Sequence, residues 1–369
     1  MNHLNWKSEL LDIVRKLANP PGPSGREDLI GSIVVELMKP HVDRLWIDTL
    51  GNVIGFKKGK KSDAKIMIAA HMDEIGMFIS HIEDDGYLRV VPIGGVFERS
   101  LVYQRVLIST RDGKVYRGVI GLRPPHVAKP EEAQKVPEIR ELFIDIGASS
   151  RDEVEKLGIK VGDIAVFDRE VVELMGDKIS GKAFDDRIGV ATMIKALQLM
   201  ETPGVDTYFV ATVQEEVGLK GARTSAYAIS PDVALAIDVT IANDTPGVPK
   251  SEWCTRLGKG PAIKIADGRG ASGLIVHPKL VDFLISIAEK RKIPYQLEIL
   301  TGGTTDASII ALNKEGVPAG AISIPTRYVH SPVEVVDLND VYNAAQLVKG
   351  FVEEIDTEWV KSIKGALIK

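Results

Sequence analysis

The chain has a single cysteine, Cys254, among 369 residues. No internal disulfide can form, and the surrounding SEWCTRLG carries no thiolate-stabilising pattern, which argues against a cysteine nucleophile. This cysteine usage points to a reducing compartment, the cytosol. No apolar run is long enough to span a bilayer. The first residues, MNHLNWKSELLDIVRKL, contain acids and no small-residue cleavage site, so no secretory signal is expected. No GxSxG elbow occurs, which argues against an α/β-hydrolase serine triad. GRGASG (Gly268 to Gly273) is glycine-rich but lacks the strand–helix setting and the Gly-Lys-Ser/Thr of a phosphate loop, so it reads as a flexible loop. Asn and Gln total only fourteen, against 46 Lys+Arg and 51 Asp+Glu, a tilt towards a thermophile. The net charge of -5, with both signs dispersed, argues against nucleic acid and anionic membrane as partners.

What is present is a globular composition, 44% hydrophobic and 26% charged. Leu4 to Ala18 has helical apolar spacing and stops at Asn19-Pro20-Pro21. After the PPGPSGRE turn, Ser24 and Glu27 form a capping-box pattern for a helix through Met38. Leu45–Asp48, Val53–Phe56 and the continuous apolar run KIMIAA (Lys65 to Ala70) read as strands, the last covered on both faces. From about Gly76 to Asp168 the texture changes to short alternating segments between Gly and Pro turns, a β-rich barrel or sandwich. Within it, Arg123 to Val136 is polar and reads as a long loop. After Phe184, helices alternate with buried strands, which predicts an α/β domain with a largely parallel sheet and helices on both faces. The expected domains are therefore 1–75 with 169–369, α/β, and 76–168, an inserted β-rich domain.

Metal-ligand residue types recur where these predicted strands end, the region where ligands bind in α/β sheets. KIMIAA is followed by His71-Met72-Asp73, YFVATVQ by Glu215-Glu216, VALAI by Asp238, and AISIPTRYV by His330; Asp185-Asp186 precede a helix. Singly, each has an ordinary reading as a helix cap, a solvated turn or a structural histidine. Together, converging carboxylates must be protonated or share cations. Imidazole and oxygen donors without thiolate suit Zn, Co or Mn in a hydrolytic centre. The His71-x-Asp73 spacing lets the carboxylate orient the imidazole. Of Glu215 and Glu216, one can bind metal while the other serves as general base. His81 and His126 fall in the β-rich block and read as structural or surface residues.

AAHMDEIGM, FIDIGA, FDDRIG, VQEEVGL, AIDVT and PTRYVHSPVE, in this order, resemble the M42 metallo-aminopeptidases, some of which carry an endoglucanase label. The resemblance spans nearly the whole chain, from PGPSGRE to the last helix. It implies removal of N-terminal amino acids from short peptides by a two-metal-activated water, with two divalent ions (Zn or Co, or Mn) per subunit. His71 and Asp238 would hold one ion, Glu216 and His330 the other, and Asp185 would bridge them. Glu215 would be the general base and Asp73 the residue that orients His71. Glu216 and Asp238 are candidates to meet the substrate amine, and Thr304 and Asp306 to line its pocket. The fold implied is a Zn-peptidase α/β domain with a PDZ-like dimerisation insert, assembling from dimers into a tetrahedral dodecamer. The Asp267 to Gly273 loop differs in length from the relatives. Two other readings compete: a glycoside hydrolase using paired carboxylates, and a non-catalytic metal-binding scaffold. Adjacent Glu215 and Glu216 are poorly placed to flank a glycosidic bond, and no expected position is lost, as a scaffold would require.

Overall fold

The computed structural model describes residues 5–124, 126 and 135–364. Helix α1 (Asn5–Ala18) buries Leu10, Val14 and Leu17, an i, i+4, i+7 stripe. Helix α2 (Asp28–Met38) buries Ile30, Val34 and Met38 at the same kind of spacing. The capping box expected ahead of α2 does not form. Ser24 Oγ donates instead to Asp73 Oδ2 at 2.6 Å, and Glu27 makes no side-chain cap.

One large sheet runs in the order β1 (Arg44–Ile47), β2 (Val53–Lys57), β12 (Val205–Thr212), β3 (Lys61–His71), β13 (Val233–Ile241), β17 (Ala319–Arg327), β18 (Glu334–Asp337), β11 (Lys178–Gly181) and β10 (Val172–Glu173). Its centre, β12-β3-β13-β17, is parallel. Its flanks are antiparallel, so the sheet is mixed rather than parallel throughout. Two of the flanking pairs, β1–β2 and β10–β11, are hairpins closed by short loops, which only antiparallel pairing permits. A side arm, β14 (Ala262–Asp267) with β15 (Leu274–Ile275) and β16 (Gln296–Ile299), joins through β17. Lys264, buried in β14, interrupts the apolar run by which such a strand is recognised in sequence.

On β3 every side chain from Ile66 to His71 is buried, so both faces of the strand are covered. One helix group is α1, α3 (Phe184–Leu199) and α7 (Leu338–Glu354), which pack on one another and on the central strands. A second group, α4 (Lys220–Ile229) and α6 (Asp306–Ala311), packs together on β13 and its neighbours. Helix α5 (Pro278–Arg291) packs on α7 and β14.

Between β3 and β10 the chain forms a closed antiparallel barrel, β4 (Gly76–Ile82), β5 (Leu88–Ile93), β8 (Phe143–Asp145), β7 (Val115–Gly121), β6 (Arg105–Ser109) and β9 (Ile164–Phe167), in that order. Met77, Ile79, Val106, Ile108, Ile120 and Ile144 fill it. Closure removes the free edges that a six-stranded open sheet would present. Most of the predicted Arg123–Val136 loop lies outside the described residues.

Candidate metal centre

The carboxyl ends of the parallel strands converge on one cleft. Strand β3 ends in His71. Strand β12 ends at Thr212, and Gln214, with φ of 55°, turns the chain into Glu215 and Glu216. Asp238 lies within β13 rather than at its end, because β13 stays paired with β17 as far as Ile241. His330 follows β17 with φ of 62°. Asp185 comes from the segment that opens α3. The neighbouring Asp186 turns the other way and caps the helix, its Oδ1 accepting from the Gly189 amide at 2.9 Å. A Cβ on Gly189 would lie 2.2 Å from that carboxylate, so glycine is required there.

Asp185 stands between the two histidines. Its Oδ1 is 3.1 Å from His71 Nε2 and its Oδ2 is 3.1 Å from His330 Nε2. His71 Nε2 also faces Asp238 Oδ1 at 3.9 Å and Glu215 Oε2 at 3.8 Å. His330 Nε2 also faces Glu216 Oε1 at 3.2 Å. Two groups of potential metal donors result, His71–Asp185–Asp238 and Asp185–Glu216–His330, each with its donor atoms within 4.8 Å of one another. They share Asp185.

Electrostatics define what such a cleft requires. Burial, helped by Asp185 and Asp306, pushes the Asp238 carboxyl well above the usual carboxylate range. Burial likewise raises Glu215, with Asp238, Asp306 and Glu216 adding to it and His71 opposing. Glu216 is raised by burial, and Asp306 is pushed up to about 6 by the same cause. Asp185 moves the opposite way. Burial would raise it, but hydrogen bonding to His330 and His71 outweighs that and holds it low. Burial lowers the basicity of His330, yet Asp185 and Glu216 lift it to about 11. These five carboxylates, with Asp73 behind His71, crowd around two imidazoles. The Glu216 Oε1 atom is buried without a hydrogen-bond partner, as an atom placed for an ion would be. An excess of buried oxygen donors with imidazole and no thiolate is the donor set of a divalent hydrolytic metal site.

Supporting contacts hold these groups. Asp73 sits with its Oδ1 3.5 Å from His71 Nδ1. It also accepts from the backbone amides of Glu215 at 3.0 Å and Glu216 at 3.2 Å, so it ties β3 to the β12 turn. Glu334 accepts from the amides of Phe184 at 2.6 Å, Asp185 at 3.2 Å and His330 at 2.9 Å. Glu334 is a supporting residue that residue type at strand ends does not single out, its one sequence signal being an acid four residues after His330, and Ser24 serves Asp73 rather than the helix cap expected of it. Asp306 Oδ2 accepts from Thr212 Oγ1 at 2.5 Å at the rim of the cluster. Thr304 faces away from it and donates to Asp267 Oδ1 at 2.8 Å. His81 and His126 are exposed and outside the cleft.

Comparison with known proteins settles the kinship. The family model described as M42 glutamyl aminopeptidase matches residues 51–347. The chain belongs to the M42 glutamyl aminopeptidase family. It is therefore a hydrolase, a metallo-aminopeptidase of the M42 type, and two candidate groups of metal donors are present in its cleft. An aminopeptidase from the archaeon Desulfurococcus kamchatkensis is similar in structure, at 69% identity and a TM-score of 0.96 over 99% of this chain and 100% of that one. The lysyl aminopeptidase of Pyrococcus furiosus is 41% identical over 93% of this chain and 97% of its own. The TET1 peptidase of Pyrococcus horikoshii, whose structure shows that it can assemble into a tetrahedron or a large octahedral shell, is 35% identical with a TM-score of 0.83 over 94% of this chain and 100% of that one. Among the described residues of this M42 chain, no helix is long and apolar enough to cross a membrane.

Proposed function

We propose that this M42 enzyme removes N-terminal amino acids from short peptides at a pair of divalent ions. His71 and Asp238 would hold one ion, Glu216 and His330 the other, and Asp185 would bridge them. The sharing of Asp185 by the two donor groups is the observation that carries this reading. Bound ions supply Lewis acidity that polarises a carbonyl and makes water nucleophilic at neutral pH. The imidazole–carboxylate donor set supports Zn or Co, with Mn also compatible.

Glu215 belongs to neither donor group, yet its carboxyl lies 3.8 Å from His71 at the same centre. It takes the proton of the attacking water and passes it to the leaving amine. Asp73 orients His71 and holds the Glu215–Glu216 backbone, so base and ligands keep a fixed relation. The substrate's ammonium meets the carboxylates of Glu216 and Asp238, which restricts attack to the first peptide bond. Asp306, buried at the rim, borders the first side chain's pocket, with Thr304 further out. Residues 1–75 and 169–369 form the catalytic domain and 76–168 the dimerisation insert, and dimers build a tetrahedral dodecamer; the shells formed by the TET1 relative support this. The lone cysteine supports a cytosolic setting. Paired-carboxylate glycoside hydrolysis leaves both histidines without a role, and a scaffold leaves Glu215 without one.

A panel of aminoacyl-4-nitroanilides, run metal-free and with Co or Zn restored, tests the reading. Hydrolysis that needs added metal and is lost when the substrate amine is acetylated is the expected result. Metal-independent turnover, or equal turnover of acetylated substrates, would rule it out.

A further inference from the structure

The barrel reaches the metal centre with bare backbone. Strand β5 ends at Ile93, and the next residues, Gly94 and Gly95, enter the cleft. The Gly95 carbonyl lies 2.9 Å from His330 Nδ1. A carbonyl only accepts, so Nδ1 carries a proton and donates, which leaves Nε2 as the nitrogen through which His330 would bind an ion. Nε2 faces Asp185 Oδ2 at 3.1 Å and Glu216 Oε1 at 3.2 Å. Side chains are excluded at both glycines. A Cβ on Gly95 would lie 2.8 Å from His330 Nδ1 and 2.9 Å from Cε1. Gly94 has φ of 74°, and a Cβ there would lie 3.1 Å from the Cβ of Glu216. Phe97 follows, its ring centroid 6.2 Å from that of His330. The other donor group has no such dependence, because His71 is faced by Asp73 from its own segment.

We propose that Gly94 and Gly95 are positioning residues for the donor group of Asp185, Glu216 and His330, so that ion binding there depends on the barrel being docked on the sheet. The Gly95 carbonyl fixes the tautomer and ring plane of His330, and the missing side chain of Gly94 lets Glu216 approach. Partners that orient a ligating histidine set metal affinity, and their loss weakens it about 10–100-fold. The proposal rests on the two-ion reading above.

The test is a titration of metal-free, full-length protein with Co(II), followed by visible absorbance and calorimetry. Unsubstituted protein takes up two ions. In Gly95→Ala one binding step keeps its affinity and the other weakens by roughly 10–100-fold. Gly302→Ala, where a Cβ would meet nothing within 4 Å, is the control. Two unchanged steps in Gly95→Ala, or two steps weakened alike, overturn the proposal. Uptake of a single ion by unsubstituted protein instead defeats the two-ion reading, which separates the two failures. Should Gly95→Ala not fold, 15N-imidazole spectra of the zinc-loaded unsubstituted protein decide, with His330 assigned by its loss in His330→Gln. A protonated Nδ1 and a liganded Nε2 support the proposal; an unprotonated or liganded Nδ1 overturns it.

Discussion

Glu215→Gln separates the base from the ligands. Glu215 Oε2 lies 3.8 Å from His71 Nε2, yet Glu215 belongs to neither donor group. Gln has the same length and shape. The backbone bond from the Glu215 amide to Asp73 Oδ1, at 3.0 Å, survives the change. What disappears is the ability to accept and return a proton. A positioned general base contributes about 10²–10⁴-fold, equivalent to roughly 3–5 kcal/mol of barrier at about 1.36 kcal/mol per tenfold. The assay is kcat and KM on an aminoacyl-4-nitroanilide at saturating Co, with metal content measured on the same sample. The expected result is a fall in kcat by that factor, with KM and two-ion occupancy nearly unchanged. Activity within tenfold of the unsubstituted protein would refute the base assignment. Loss of an ion along with activity would make Glu215 a ligand instead.

Two further predictions concern stability. Glu74 lies 2.9 Å from Lys182 Nζ and 3.5 Å from Arg187 Nη2, all fully or almost fully buried. Glu74→Leu leaves two buried cations uncompensated and should destabilise the fold by about 3–5 kcal/mol, read by urea unfolding; a change under 1 kcal/mol would contradict that. Asp340 accepts from the Gly258 and Gly260 amides, and burial pushes its carboxyl up to about 6 from an ordinary 3.8. The unfolded chain releases this proton first, so the folded state binds more protons between those values and stability falls as pH rises through that window. Relative to Asp340→Asn, the unsubstituted protein should lose on the order of 2–3 kcal/mol between pH 4 and 6.5, measured by unfolding across pH. A pH-independent difference would refute it.

Period and texture made much of the fold legible. KIMIAA announced a strand buried on both faces, and the change to short alternating runs after Gly76 announced the barrel. Short elements escaped. Helix α6 is six residues long behind Thr304-Thr305, too short for a helical stripe, and β18, β11 and β10 are strands of two to four residues, with β11 paired to β18 from far along the chain. Ser24 illustrates a local signal overridden by a distant one: its hydroxyl has a buried carboxylate, Asp73, within reach, and that charge-assisted bond displaces the cap. In the site, residue types at strand ends were legible because strand direction aims them at one cleft. Gly95 was not, because its carbonyl meets a side chain 235 residues along the chain at His330; Glu334 offered only its spacing of four residues from His330, while its bonds to the Phe184 and Asp185 amides are long-range.

The central claim is that one carboxylate, Asp185, serves two ions that work together. Metal-free protein titrated with Co(II) should bind two ions, with aminopeptidase activity appearing only as the second is taken up. Asp185→Asn should weaken both binding steps and abolish that activity. Full activity at one ion per chain, or two tight steps retained in Asp185→Asn, would contradict the account.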